Sequence, residues 1–199
     1  MEKYGERYIS PRFTREAFID IHLSVTSDTE DWDWALRILD DRIIGRYLNP
    51  IFSLMENINQ NGFAIMALNC FLVETFYQFE RGIYETEPGK NRIRYVEFLD
   101  RAMPGVFPSK KSREKFYTDI RCGILHSAQT KNGSQLTFDK PYVVKMFGHN
   151  QISIDVEGFT KKLVDYYELY LDQLRNPENI LLRLAFINKM SLICMADEI

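Results

Sequence analysis

Cysteine is scarce in this chain and poorly placed for chemistry. The 199 residues hold 3, Cys70, Cys122 and Cys194, each among apolar neighbours. An odd number with no close spacing gives neither a disulfide framework nor a zinc site. It fits buried thiols in a reducing compartment. Glycine and proline are also few, 10 and 7, and they cluster at a handful of breaks. Long unbroken periodic stretches then favour helices over a many-stranded sandwich. An excess of positive charge is missing too, since the formal charge is −3 and the pI about 5.7. That excludes a general nucleic-acid-coating role and leaves RNA binding only to a local patch.

Other signatures are absent. There is no glycine-rich phosphate loop, no metal-ligand spacing and no nucleophile elbow, so no cofactor is expected. The start, Met1-Glu-Lys-Tyr-Gly-Glu-Arg7, has no apolar core of leader length. The longest apolar stretch, Phe63 to Tyr77, is interrupted by Asn69 and Glu74. It reads as too short and too polar to span a bilayer. The expectation is a cytoplasmic protein with no membrane partner, folded as one domain over residues 1–199.

What the chain does have is aromatic and apolar mass, with 14 Phe, 11 Tyr and 45% apolar residues. That is enough for a sizeable core. Thr14 is placed to open a short helix. Asp28 or Thr29 is placed to cap a second, in which Trp32, Leu36, Leu39, Ile43 and Tyr47 recur at helical spacing. Asn49-Pro50 predicts its end or a kink. Asn61-Gly62 predicts a break before Phe63–Arg81, which is apolar nearly all round and so central and buried. Glu74, Gln78 and Arg81 give that helix a polar seam.

A further helix is expected over Asn91–Met103. Ser109 should cap the next, Lys110 to about Ala128, with Phe116, Ile120 and Ile124 on its core face, and Gly133 should stop it. The period then falls to two. Gln135–Phe138, Tyr142–Phe147 and Gln151–Val156 read as extended, with Gly148-His149-Asn150 as the turn of an antiparallel hairpin outside the helical core. Phe159–Leu174 returns to helical spacing. Asn176-Pro177 is placed to open a last helix reaching about Met195.

The run Phe116-Tyr-Thr-Asp-Ile-Arg-Cys-Gly-Ile-Leu-His126 holds the most informative residues. Of the 3 histidines, His149 lies in the turn and His22 in a poorly defined early segment. Only His126 ends a helix with an apolar stripe. Arg121 precedes it with four residues between. Arg15 and His22 share that kind of spacing, but no buried-helix pattern surrounds them.

Arg121…His126 on such a helix resembles the signature of HEPN domains, an Arg, four to six residues, then a His in an all-helical domain. The resemblance implies an all-α, HEPN-like bundle, with the small β-hairpin insertion at about 135–156 following the motif helix. It implies a homodimer in which Arg and His of both copies meet. It also implies metal-independent endoribonuclease activity by attack of the ribose 2′-hydroxyl, in a toxin or anti-phage defence effector. RNA would be the substrate and DNA would not. An antitoxin or defence-system protein would be a partner. The position after Arg121 is Cys122, where active members often carry a polar residue. The alternative implied is a catalytically silent HEPN-like module binding a nucleotide or a partner protein.

The chemistry stands on its own terms. Histidine titrates near ~6.5 in peptides and suits proton transfer, and a guanidinium forks onto phosphate oxygens. Five residues turn a helix by about 140°, so one copy does not place Arg121 and His126 on one face. Two copies about a two-fold axis remove that difficulty. Lys115 and Lys131, flanking the motif, are candidate RNA-backbone contacts. The basic run Lys110, Lys111, Arg113, Lys115 could hold RNA backbone, and such a run is more often a solvated helix start. His126 also suits a helix C-terminus through the dipole, and Arg121 also suits a structural pair with Glu74.

Overall fold

Local hydrogen bonds set three helix starts. The computed structural model describes residues 7–195, and the reading of Met1–Glu6 lies outside the described residues. Thr14 accepts from the Ala17 N–H and opens α1, Arg15–Ile19. Asp28 accepts from the Asp31 N–H at 3.0 Å and opens α2, Thr29–Ile43, with Glu30 and Asp31 favourable in its first turn. Ser109 and Ser112 form a reciprocal capping box at the head of α6, Lys110–Lys115. The remaining helices are α3 (Asn49–Met55), α4 (Ile58–Arg81), α5 (Asn91–Ala102), α7 (Cys122–Ser127), α8 (Val156–Arg175) and α9 (Ile180–Met195).

Asn49-Pro50, expected to end or kink the helix, does not end it. Ile44–Leu48 instead widens into a π-helical turn, in which the Asn49 N–H donates to the Ile44 carbonyl, and α3 follows directly. Such a turn re-spaces the backbone hydrogen bonds where Pro50 lacks a donor. Asn61-Gly62 is not a break either. Gly62 lies within α4 because a Cβ there would sit 2.7 Å from the Phe138 ring, so it is a close approach rather than a stop.

The motif helix ends at Ser127, close to the expected Ala128, but its left-handed stop is Ala128 at φ +52 and not Gly133. The last helix starts at Ile180, not beside Pro177. Asn176 Oδ1 accepts from the Glu178 N–H, and that Asx turn uses up the expected first helical turn.

The backbone groups into two compact units. Among the described residues, one comprises 7–50, Gln78–Glu85 and 168–195. Its core stacks Phe18, Trp32 and Phe79 around the Phe186 ring, with centroids at 6.2, 5.6 and 6.2 Å. The buried Arg183 lies 4.3 Å over the Trp32 ring and donates to the carbonyls of Leu174, Arg175 and Val25. Two of those carbonyls end α8, so the guanidinium caps that helix. Asp41 accepts from Ser10 Oγ, the Arg12 N–H and Arg12 Nε. Burial raises the Asp41 carboxyl, but those donors outweigh it and hold it below the usual range.

The other unit comprises Ile51–Tyr77 and Thr86–Tyr167. Phe116 is its hub, fully buried, stacked on Phe159 at 4.8 Å and touching Tyr95 and Phe107. In place of a lone hairpin the unit holds a three-stranded mixed sheet. Its strands are β1 (Gln135–Thr137), β2 (Val144–Phe147) and β3 (Gln151–Asp155), in the order β1-β3-β2. The expected antiparallel hairpin is present as β2 and β3, with Val144 opposite Ile154 and Phe147 opposite Gln151. The fold is mainly helical as expected, and the expectation that the hairpin lies outside the core is corrected. β1 pairs parallel to β3, and Ile152, Ser153, Ile154 and Asp155 are all buried. A strand buried on both faces needs partners at both edges for its backbone groups.

α4 is 24 residues long and holds a window of mean hydropathy 1.3, which a bilayer would accept by length and composition. Its length therefore does not argue against a span. Its burial does, because 56% of the apolar window packs inside the protein. Within that helix Asn69 is fully buried and donates to Thr160 Oγ1.

Candidate functional site

The motif run lies on one continuous helix of three parts. α6 passes at Phe116 into a π-helical segment, Phe116–Arg121, and that passes into α7. The Cys122 N–H donates five residues back, to the Tyr117 carbonyl. Wide turns of this kind are rare inside α-helices and recur at functional sites.

Arg121 is the last residue of the wide turn. One terminal nitrogen donates to Glu74 Oε2 at 3.2 Å, and the other lies 4.0 Å from Cys122 Sγ. The guanidinium carbon sits 5.4 Å from the centre of the Tyr117 ring. Only 14% of the Arg121 side chain is exposed. Burial works to lower its pKa, but Tyr117, Cys122 and Glu74 together raise it above the ordinary arginine value. The cation is therefore fixed in place and permanently charged.

His126 is placed differently. It lies on the exposed side of α7 and has no hydrogen bond among the described residues. The path from Arg121 is α-helical, so the expected divergence of about 140° stands. Arg121 faces α4 and His126 faces solvent, and one copy does not bring them together.

Lys115 is turned inward onto the buried Asp119, 3.2 Å away, so its charge is already matched. Lys131 is half-exposed, and its ammonium has no partner among the described residues. Its backbone N–H donates to the Asp119 carbonyl. Arg113 pairs with Asp100 at 2.9 Å, while Lys110 and Lys111 are exposed. The basic run thus divides into two structural cations and two solvated ones. His22 is exposed in a turn with φ +50, and His149 is exposed in the β2–β3 turn.

Asp119 is the residue that sequence reasoning missed. Fully buried, it accepts from Thr118 Oγ1 at 2.9 Å, Asn132 Nδ2 at 2.8 Å and Ser134 Oγ at 3.1 Å, besides Lys115. It ties the segment after α7 back against the motif helix. Gly123 makes that return possible, since a Cβ there would lie 2.5 Å from the Gln129 carbonyl oxygen. An acid at a core-facing position beside Phe116 and Ile120 was the available signal, because buried carboxylates need donors. Nearby, burial pushes the Cys70 thiol up to about 12, and the buried Tyr95 hydroxyl lies 3.5 Å from the Cys70 carbonyl. Cys70 is a core thiol and not a nucleophile.

No known family model, curated protein or solved structure matches the chain.

Proposed function

We propose that this chain is a HEPN-like, metal-independent endoribonuclease that works as a homodimer. The observation that supports the reading is the contrast within one helix. Arg121 is a clamped, always-charged fork, while His126, five residues on, is exposed and unpartnered. A phosphoryl transfer needs both kinds of group, a fixed cation for developing charge and a free proton carrier.

In the proposed reaction His126 takes the proton of a ribose 2′-hydroxyl. The oxygen attacks the adjacent phosphorus, the P–O5′ bond breaks, and the departing 5′-oxygen takes a proton from His126 of the second copy. The products are a 2′,3′-cyclic phosphate and a 5′-hydroxyl. Arg121 stabilises the extra charge on the phosphoryl oxygens. Lys131 is the better placed of the two lysines for the RNA backbone, because Asp119 already engages Lys115. By its resemblance the enzyme belongs to a toxin–antitoxin or anti-phage setting, with a neutralising or activating protein partner.

The Glu74–Arg121 pair also favours a second reading. An arginine already matched by a carboxylate suits a catalytically silent module that binds a nucleotide or protein.

One experiment separates the two. Purified protein with EDTA and single-stranded RNA should give 2′,3′-cyclic phosphate ends and leave DNA intact, since DNA lacks the hydroxyl. His126→Ala should lower cutting by ~10²–10⁴-fold, and His22→Ala should leave it unchanged. A wild type inactive on every RNA, or a His126→Ala variant as active as wild type, rejects the nuclease in favour of the silent module.

A further inference from the structure

Helix α9 has its polarity inverted. Its two cations, Arg183 and Lys189, are buried, at 4% and 6% exposed. Each is satisfied inside its unit. Arg183 caps α8, and Lys189 donates to Gln78 Oε1 at 2.9 Å and the Tyr84 carbonyl at 2.8 Å. The outer side of the same helix carries Leu181 at 82% exposed, Leu184 at 46% and Met195 at 51%. Scattered exposed leucines are ordinary, but an aligned apolar stripe is not.

The stripe has a symmetry of its own. Leu181, Leu184, Asn188, Leu192 and Met195 fall within about 80° of arc at 100° per residue. Leu192 is half-buried and Asn188 is exposed, with no hydrogen bond among the described residues. Counted from Asn188, the four apolar residues stand at −7, −4, +4 and +7. The pattern reads the same in both directions, and Asn188 lies next to the midpoint of Ile180–Met195.

We infer that α9 is a two-fold, antiparallel helix–helix interface with a second copy of this chain, with Asn188 on the axis. An isologous contact needs a face complementary to itself. Here Leu181 meets Met195 of the second copy, and Leu184 meets its Leu192. The lone polar residue meets its own counterpart, amide to amide, so neither is left unpaired. The stripe carries no charge, because both cations of the helix are used inward, so two copies meet without like-charge repulsion. Antiparallel packing also opposes the two helix dipoles. A parallel heptad pairing would put Ser191 on the seam and leave Leu192 off it. The inference does not rest on the proposed nuclease activity and concerns a face other than the motif helix, so a chain that uses both two-fold faces assembles beyond the dimer.

The test uses the full chain. Asn188→Cys should give a disulfide-linked dimer on mild oxidation, at a level well above wild type, which serves as the control for Cys122. Leu181→Cys should not link to itself, since in the antiparallel pair the two positions lie 14 residues apart, about 21 Å along the axis. Mixing Leu181→Cys with Met195→Cys should restore a linked species. Leu184→Glu should halve the mass measured by light scattering while circular dichroism stays unchanged. A wild type that is monomeric at all concentrations overturns the inference. So does a Leu181→Cys variant that links as readily as Asn188→Cys. If Leu184→Glu fails to fold, the cross-linking set decides alone.

Discussion

Arg121 and Glu74 stand 47 positions apart in the chain and 3.2 Å apart in space. If Glu74 positions the guanidinium, it acts on catalysis through Arg121 and not by itself. Glu74→Ala should then lower RNA cutting by roughly 10–10²-fold in wild type and by nothing further in an Arg121→Ala background. Circular dichroism should be unchanged throughout. Additive losses in the double variant would show that Glu74 acts elsewhere. Arg121→Ala itself should reduce stability by ~1 kcal/mol, because it leaves a part-buried carboxylate unpaired, an effect softened by the solvent that reaches both groups.

Asp119 holds four side-chain donors in a fully buried position. Asp119→Ala strands the Lys115 ammonium, the Asn132 amide and the Ser134 hydroxyl. A loss of about 3 kcal/mol is expected. Urea unfolding should show it as a lowered midpoint. Amide exchange should speed up first at Lys131 and Ser134, whose N–H groups bond back to Asp119 and Lys131. Uniform protection across those residues would count against the anchoring role.

Gly123→Ala places a methyl group 2.5 Å from the Gln129 carbonyl oxygen and 3.2 Å from Thr130 Cα. Both are backbone atoms, so the loop must move bodily. A loss of about 2 kcal/mol is expected, or ~4–8 °C in Tm for a chain of this size. Calorimetry of the two proteins checks it, and an unchanged Tm would mean that the loop is not held there.

Lys189 gives a pH dependence with a definite sign. Burial, helped by Arg42 and opposed by Glu85, lowers its pKa from 10.5 to about 8. The unfolded chain therefore holds more protons than the native one between those values. Stability should rise with pH across that window. The penalty for burying the charged form is fully present below pH 8 and gone above 10.5. Its size is on the order of 2 kcal/mol. Measured by urea unfolding from pH 7.5 to 10, the wild type should gain stability relative to Lys189→Met. Parallel curves would mean that the ammonium stays charged, held by Gln78 and Tyr84.

Some of this was written in the sequence because it is local. Thr14, Asp28 and Ser109 cap helices through atoms three residues away, so their spacing alone announces them. The alternation through β2 and β3, with Gly148 in the turn, announces the hairpin. Other features depend on distant partners and left no such mark. Gly62 looks like a break until Phe138 is placed against it, and Pro50 looks like an end until the backbone widens before it. β1 reads as extended, but its parallel partner β3 lies beyond β2. At the site, the Arg121–His126 spacing and their divergence were legible, and Glu74 was a named partner. Asp119 was not, because Asn132 and Ser134 reach it only once the chain has folded back over Gly123.

The π-helical turn from Phe116 to Arg121 has a consequence for how the helix tolerates change. Such a turn is an α-helix with one residue more than the turn needs. Deleting one residue there would let the turn close into ordinary α-helix, and the segment beyond it would keep its phase, because the wide turn already takes up the surplus residue. Phe116 would keep its place in the core and His126 its exposed side, whereas a deletion within α7 would turn whatever follows it by about 100°. The wide turn is therefore slack in the motif helix: a residue can be lost there without turning the segment that follows.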